Sequence, residues 1–315
     1  MQVNCKILAS KKNYNISLSI SMMEFKESGF DLGDSVNIYF DNGKKYMDVP
    51  YYNGFYTKKD ELLLCAYPGY TTIDIARNQG SSIYLEAKVN SETKVTLELN
   101  EKHKYLAIQN ALDLKMSNNH LDYESDYIFS NSRVVNYPEI KKDILYRSSS
   151  FITSTYKRNK YSELFFRENK VKNIICLAET KKQFDTYYQD HKSDYLTSVK
   201  EHLQFLNLEE NYQDEKFIKK LGQALYKLSQ SEGPYGITCI MGFNRTGFVI
   251  MLIMALLGCD KEELKQEYMY SYEYCYKIDE EKYHFIAEYK MSKYYAYFAL
   301  FDENLQVAAN KYLLK

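Results

Sequence analysis

The chain has 315 residues, of which 45 % are hydrophobic, so it can form a proper core and global disorder is excluded. Its length is enough for one large domain, but we expect two. The 41 basic and 42 acidic side chains give a formal net charge of −1. No nucleic-acid partner is expected, because nucleic-acid-binding domains normally carry a basic excess.

Residues 1–110 are predicted to form an all-β, barrel-like domain. Asn42-Gly43 is a strong hairpin signal, and Pro68-Gly69 marks a second turn. Short alternating or apolar runs between such turns predict β-strands, at residues 36–40, 62–66 and 94–99. Several short strands with punctuating turns are typical of a small barrel or sandwich.

A polar connector without a helix is expected over residues 106–130, since Ser117-Asn118-Asn119-His120 interrupts any helical pattern. The domain boundary is placed at residue 110, and residues 111–315 are assigned to a second domain.

The second domain is predicted to be α/β, with a sheet flanked by helices, because strand and helix patterns alternate along it. Strands are predicted at residues 143–147, 171–177 and 235–239, and helices at residues 161–170 and 216–229. The helix at 216–229 has an apolar stripe that includes Phe217, Leu221 and Leu228, and Gly233-Pro234 follows it as a stop signal.

The segment most suggestive of chemistry is the loop from Cys239 to Arg245, which is followed by Thr246-Gly247. Cys239 falls where a strand ends, so its sulfur is expected to face the N-terminus of the helix that begins near Thr246. Unpaired N–H groups and the helix dipole at such a terminus stabilise an anion, which favours a thiolate nucleophile.

The same N–H groups can surround the oxygens of a phosphate. The predicted phosphate-binding residues are Ile240, Met241, Gly242, Phe243, Asn244 and Arg245. Among them, Gly242 allows positive φ and close backbone approach, and Arg245 can hold two phosphate oxygens in a fork. Thr246 can donate a hydrogen bond to the sulfur when it leaves. Cys239, Arg245 and Thr246 are therefore the candidate catalytic residues.

The pattern Cys-x5-Arg-Thr-Gly resembles the signature of cysteine-dependent protein tyrosine phosphatases, in particular the bacterial group whose loop reads CxxGKDRTG. The run from Ile144 to Ser149 is similar to another element of that group, and the likeness extends over about residues 130–290. The resemblance implies attack by the cysteine, a cysteinyl-phosphate intermediate and its hydrolysis, with no metal and no cofactor.

Three residues depart from the family pattern. Thr238 stands where the family usually has His, Phe243 replaces a Lys, and Asn244 replaces the loop Asp thought to be the general acid. An amide cannot donate a proton as an acid. Glu179 and Asp185, just after a predicted strand, are candidate replacement acids, and a solvated loop face is the alternative interpretation for each.

The N-terminal half has a fainter resemblance, to the C-terminal β-barrel of the S-adenosylmethionine hydroxide adenosyltransferases. It depends on three short runs, at residues 48–52, 67–70 and 75–81. Adenosyl chemistry is not implied, because the partner domain of those enzymes is absent. We interpret this half as an accessory module.

Three hypotheses for function follow. The first is an active phosphatase acting on a phosphorylated protein, a phosphoinositide or a small phosphate ester. The second is a degenerate phosphatase that binds phosphorylated partners with little turnover, and the third is a sulfurtransferase or thiol reductase built on a similar loop. The longest apolar run, residues 248–257, is shorter than the roughly 20 residues of a membrane span. A soluble, cytoplasmic protein is expected, and a trimmed export signal is the alternative.

Overall fold

The computed structural model describes residues 1–11, 14–58, 60–78 and 80–315. The chain divides into two compact units, Met1–Leu114 and Lys115–Lys315. That residues 1–110 and 111–315 are independent domains stays a prediction.

The first unit is a closed β-barrel with short helices. Its elements are β1 (Gln2–Lys11), β2 (Asn15–Ser21), α1 (Met22–Glu27), β3 (Ser35–Phe40), β4 (Lys45–Tyr52), β5 (Leu62–Cys65), β6 (Thr72–Arg77), α2 (Ile83–Ala87), β7 (Lys94–Glu101) and α3 (Leu106–Leu112). The seven strands run in the order β1-β2-β6-β5-β4-β3-β7, and β7 pairs with β1 to close the barrel. The predicted barrel is therefore confirmed.

Both predicted turns lie where the residue pattern indicates. Gly43 has φ +85°, and the Phe40 amide donates to the Lys44 carbonyl at 2.9 Å, which joins β3 to β4. Gly69 has φ +91° in the turn between β5 and β6. Glycine is favoured at both places because an L side chain rarely adopts positive φ.

The prediction that residues 106–130 form a connector without helices was wrong in part. Helix α3 lies inside residues 106–130, as do a 3₁₀ turn at His120–Asp122 and the helix Asp126–Phe129. Packing explains α3: Ile108 packs against the small barrel cluster around Tyr52, and the buried Gln109 side chain donates to the Asn53 side chain at 2.7 Å. Tertiary contacts of this kind override a weak local pattern.

The second unit is a mixed α/β structure. Its elements are α4 (Asp126–Phe129), β8 (Arg133–Val134), β9 (Leu145–Ser149), α5 (Asn159–Glu168), β10 (Asn173–Cys176), α6 (Lys181–Asp190), α7 (Asp194–Val199), β11 (Leu203–Phe205), α8 (Glu215–Ser229), β12 (Tyr235–Cys239), α9 (Asn244–Leu257), α10 (Lys261–Tyr276), α11 (Glu280–Ile286), α12 (Ser292–Ala299) and α13 (Leu305–Leu313). The α/β class predicted from the sequence is confirmed.

The sheet of this unit has the order β11-β10-β12-β9-β8. Strands β11, β10, β12 and β9 are parallel, and β8 is antiparallel to β9. The carboxyl ends of the four parallel strands therefore lie at one edge of the sheet, where ligands bind in open α/β folds.

Helix α9 is the central helix of the unit. It is apolar all round, and nine of its residues are buried, among them Phe248, Ile250 and Leu252. Each such side chain contributes about 1.5–3 kcal/mol on burial, so the helix is firmly held behind the loop that precedes it. Among the helices of the described ranges, none is both long and apolar enough to span a membrane.

Candidate active site

Four loops meet at the carboxyl edge of the parallel strands. They follow β9, β10, β11 and β12, and the last of them begins directly after the candidate nucleophile. Cys239 is the final residue of β12, is only 2 % exposed and is a free thiol. The predicted position of this cysteine at a strand end is thus what the fold shows.

Gly242 gives the loop its tight curvature. Its φ is +71°, and its amide donates to the Cys239 carbonyl at 3.2 Å. A Cβ at this position would lie 2.8 Å from the Ser149 amide nitrogen and 2.9 Å from Ser148 backbone atoms. Only glycine fits, because both the backbone conformation and the space against β9 exclude a side chain.

The loop carbonyls are turned toward the protein. The Gly242 carbonyl accepts a short bond from Arg147 Nη2 and a 3.0 Å bond from Asn131 Nδ2. The Ile240 carbonyl accepts from the Ser150 amide at 3.3 Å. Because these oxygens are held from behind, the loop can present N–H groups to an anion on its open side.

Arg147 is itself held in a buried charge cluster. Its Nη1 lies 2.9 Å from Glu267 Oε1, and Arg133 Nη2 lies 2.7 Å from the same oxygen. Burial, and next the charge of Arg133, lower the pKa of Arg147 to about 10, so it stays charged at neutral pH. Its guanidinium is therefore held in position to donate to the Gly242 carbonyl.

Helix α9 begins at Asn244, two residues before the predicted start. Its N-cap residue is Phe243, which makes no side-chain capping hydrogen bond. The first-turn N–H groups of a helix have no acceptor within the helix. The amides of Asn244 to Thr246 and the positive end of the helix dipole are thus placed to meet an anion next to Cys239.

Arg245 and Asn244 both contact the loop that follows β11. Arg245 Nη1 donates to the Leu208 carbonyl at 2.8 Å, and its Nε lies 3.8 Å from Glu210 Oε1. Asn244 Nδ2 donates to both carboxylate oxygens of Glu210, at 3.0 and 3.2 Å. Glu210 was not predicted from the sequence, although an acidic pair in the short loop after a strand of a parallel sheet is a signal that could have indicated it.

The two acids predicted from the sequence lie in different surroundings. Glu179 is 1 % exposed, and its Oε1 accepts from Thr153 at 3.1 Å. Within the described residues its Oε2 has no hydrogen-bond partner. Asp185 is exposed on α6 and forms a 2.8 Å ion pair with Lys181.

Thr246 is fully buried, and in the part of the chain that is described its hydroxyl has no hydrogen-bond partner. Its predicted bond to the Cys239 sulfur stays a prediction for the thiolate.

Aromatic packing accounts for Phe243. Its ring makes edge contacts with Tyr272 and Tyr276 of α10, with centroids 5.9 and 5.1 Å apart. Tyr268 and Tyr272 are buried, which makes them packing residues. Phe243 contributes its backbone to the loop and its side chain to this cluster.

A cysteine at a strand end, a glycine-curled loop and an uncapped helix define the class of site: a cysteine-centred loop suited to bind an anion. Residues 106–314 match the model of the tyrosine phosphatase family. The match covers more than half of the chain, and the chain belongs to this family. The family predicted from the loop sequence is confirmed.

Two solved structures share more distant similarity. The core catalytic domain of the PP-IP phosphatase SIW14 from S. cerevisiae, solved with citrate, has 21 % identity over 58 % of this chain and 98 % of that chain, with a TM-score of 0.31. An uncharacterized conserved protein from Thermotoga maritima has 18 % identity over 30 % of this chain, with a TM-score of 0.28. The match spans 35 % of that second protein. No curated protein matches the chain.

The resemblance of the barrel to the adenosyltransferase family stays a prediction. Two of its three runs fall in β4 and in the turn at residues 67–70. The third covers the end of β6 and includes Gln79, which lies outside the described residues.

Proposed function

We propose that the chain hydrolyses phosphate monoesters through a cysteinyl-phosphate on Cys239. The observation that carries this proposal is the position of Cys239 at the end of β12, next to the uncapped N-terminus of α9. The family match supports phosphatase chemistry. A phosphorylated protein, a phosphoinositide or a small phosphate ester are the substrate classes that fit such a loop.

The first step forms the covalent intermediate. The Cys239 thiolate attacks phosphorus while the bond from phosphorus to the ester oxygen breaks, and the leaving oxygen takes up a proton from an acid. The loop N–H groups and Arg245 bind the phosphoryl oxygens as charge develops on them. The Arg245 bond to the Leu208 carbonyl fixes the plane of the guanidinium, so its other N–H groups can form the fork.

The second step releases phosphate. Water attacks phosphorus, the bond from phosphorus to sulfur breaks, and sulfur leaves as the thiolate. Thr246 can donate its hydroxyl to that sulfur, since the hydroxyl makes no other hydrogen bond within the described residues. The barrel is proposed to be an accessory module.

Hydrolysis of p-nitrophenyl phosphate tests the proposal. We expect Cys239→Ser to abolish phosphate release. Cys275→Ser is the matched control, because that buried thiol donates to the Ile128 carbonyl and a serine hydroxyl can keep the bond. Equal activity in Cys239→Ser and the parent chain would overturn the proposal.

The alternative of a binding module with little turnover makes a different prediction for the same protein. It predicts that phosphate or a phosphopeptide binds, in a calorimetric titration, while an aryl phosphate is not hydrolysed. It is motivated by Thr238 and Asn244, which replace proton-handling residues of the family. Cys239-dependent turnover would exclude it.

A further inference from the structure

We propose that Glu210 is the proton donor to the leaving group, in place of the acid that Asn244 cannot supply. This inference rests on the proposed function, since it assigns the acid of that same reaction. Glu210 follows β11, and the loop after β11 lies at the same sheet edge as Cys239. It contacts two side chains of the phosphate loop (residues 239–245), those of Asn244 and Arg245.

Exposure separates Glu210 from the two acids predicted from the sequence. The acid must reach an oxygen that leaves on the side of phosphorus opposite to the sulfur, where substrate enters. Glu179 is enclosed at 1 % exposure, and Asp185 is held by Lys181 on the outer face of α6. The Glu210 side chain is 36 % exposed while it stays bound to the loop, which suits a group that must meet a substrate.

Asn244 acts as a positioning residue for this carboxyl group. Its amide donates to either oxygen of Glu210, so it can hold one oxygen while the other carries the proton. Asn244 therefore does not act as the acid itself. Its amide holds the carboxyl group of Glu210, which belongs to the loop after β11. Charged and titratable groups near Glu210 include the Arg245 guanidinium and the phenols of Tyr212 and Tyr294.

The Glu210 carboxyl group donates one proton and recovers one proton in each catalytic cycle. The proton moves from Glu210 to the ester oxygen as that oxygen leaves phosphorus, which produces a carboxylate. The carboxylate then accepts a proton from the water that attacks the cysteinyl-phosphate. Glu210 is thereby reprotonated and the cycle can begin again.

Glu210→Gln tests the assignment, because Gln keeps the shape and one acceptor oxygen but has no acidic proton. We expect kcat to fall by about 10²–10⁴-fold for an alkyl phosphate, the usual contribution of a general acid, and much less for p-nitrophenyl phosphate, whose leaving group needs little protonation. The parent chain should lose kcat at high pH, where the proton donor is ionised, and Glu210→Gln should not show this fall. Glu209→Gln, a change at the exposed neighbouring acid, is the control and should leave both substrates unaffected.

Asn244→Asp in the Glu210→Gln background gives a second arm, because it restores a carboxyl at the adjacent position. We expect it to recover much of the alkyl-phosphate activity. If Glu210→Gln does not fold, Glu210→Asp replaces it, and a lower kcat with the high-pH fall retained is expected.

Three outcomes would overturn the assignment: unchanged activity in Glu210→Gln, an equal loss on both substrates with a higher KM, and a Glu210→Asp profile without the high-pH fall. The equal loss would mean that Glu210 only positions Arg245. Activity that survives Cys239→Ser would instead overturn the proposed function, so the two failures are distinguishable.

Discussion

The two sides of the phosphate loop are built differently. We define the inner side as the Gly242 carbonyl with Arg147 and Asn131, and the outer side as Asn244 and Arg245 with the loop after β11. The inner side is buried, with Arg147 at 1 % exposure, whereas Glu210 on the outer side is 36 % exposed. Buried, hydrogen-bonded charges can fix a backbone, and partly exposed ones can exchange protons with a substrate.

The residues that hold the loop conformation are therefore different from those proposed to take part in the reaction. The inner side holds the Gly242 carbonyl through buried donors, and it contains no group that the proposed reaction consumes. The outer side holds the residues proposed to bind charge and to move the proton. Substitutions on the inner side should therefore reduce stability and activity together, and those on the outer side should change activity more than stability.

The largest effect on stability is expected for Arg147→Met. Removing this guanidinium takes one donor from Glu267, which keeps Arg133 as its partner, and one donor from the Gly242 carbonyl. Two buried hydrogen bonds of a charged group, at about 1.5 kcal/mol each, amount to about 3 kcal/mol. Urea unfolding measures the loss. Lys181→Met, which breaks an exposed pair, should leave the midpoint almost unchanged. Equal midpoints for the two variants would show that the inner side is not held by this cluster.

The next largest effect is expected for Gly242→Ala, which should lower both stability and activity. A positive φ costs an alanine about 1–2 kcal/mol, and the added Cβ also displaces β9 backbone at 2.8 Å. We expect kcat/KM to fall by about 100-fold, since a displacement of this size misplaces the loop.

Gly258→Ala is the matched control for that change. Gly258 also has positive φ, at the other end of α9, but a Cβ there meets no atom within 4 Å. Gly258→Ala should lose stability only because of the positive φ, and it should retain activity. If both variants lose the same activity, the contact with β9 does not shape the loop.

The smallest effect on stability is expected for Thr246→Val. The hydroxyl that is removed is buried and, among the described residues, has no hydrogen-bond partner, so the free energy of unfolding should stay the same or rise by about 1 kcal/mol. Phosphate release should slow because the leaving sulfur loses its donor. Burst kinetics with p-nitrophenyl phosphate measure this, and Thr246→Ser should restore the second step. A burst that is unchanged in Thr246→Val would contradict the role of the hydroxyl.

The sequence was a good guide to what local patterns determine. Turn signals at Gly43 and Gly69 and alternating strands indicated the barrel, and the order of strand, Cys239, Gly242 and apolar helix indicated the loop. In each case, the residues that determine the feature are neighbours in sequence, so their periodicity and conformational preferences are sufficient.

The contacts that support the site could not be predicted in this way. Arg147 and Glu267 are 120 residues apart, and Asn244 and Glu210 are 34 apart. Their proximity depends on the strand order β11-β10-β12-β9 and on the packing of α10 against α9, which no local pattern specifies. The same reason explains α3, whose helical form depends on packing against the barrel and was not expected from a polar connector.

The most direct test of the proposed mechanism is to trap the covalent intermediate. The protein is mixed with an aryl phosphate, quenched in acid during the first turnover, digested and analysed by mass spectrometry. A cysteinyl-phosphate mechanism predicts one added phosphoryl group on the peptide that contains Cys239, and more of it in Thr246→Val. Turnover without that modified peptide, or with the phosphoryl group on another residue, would contradict it.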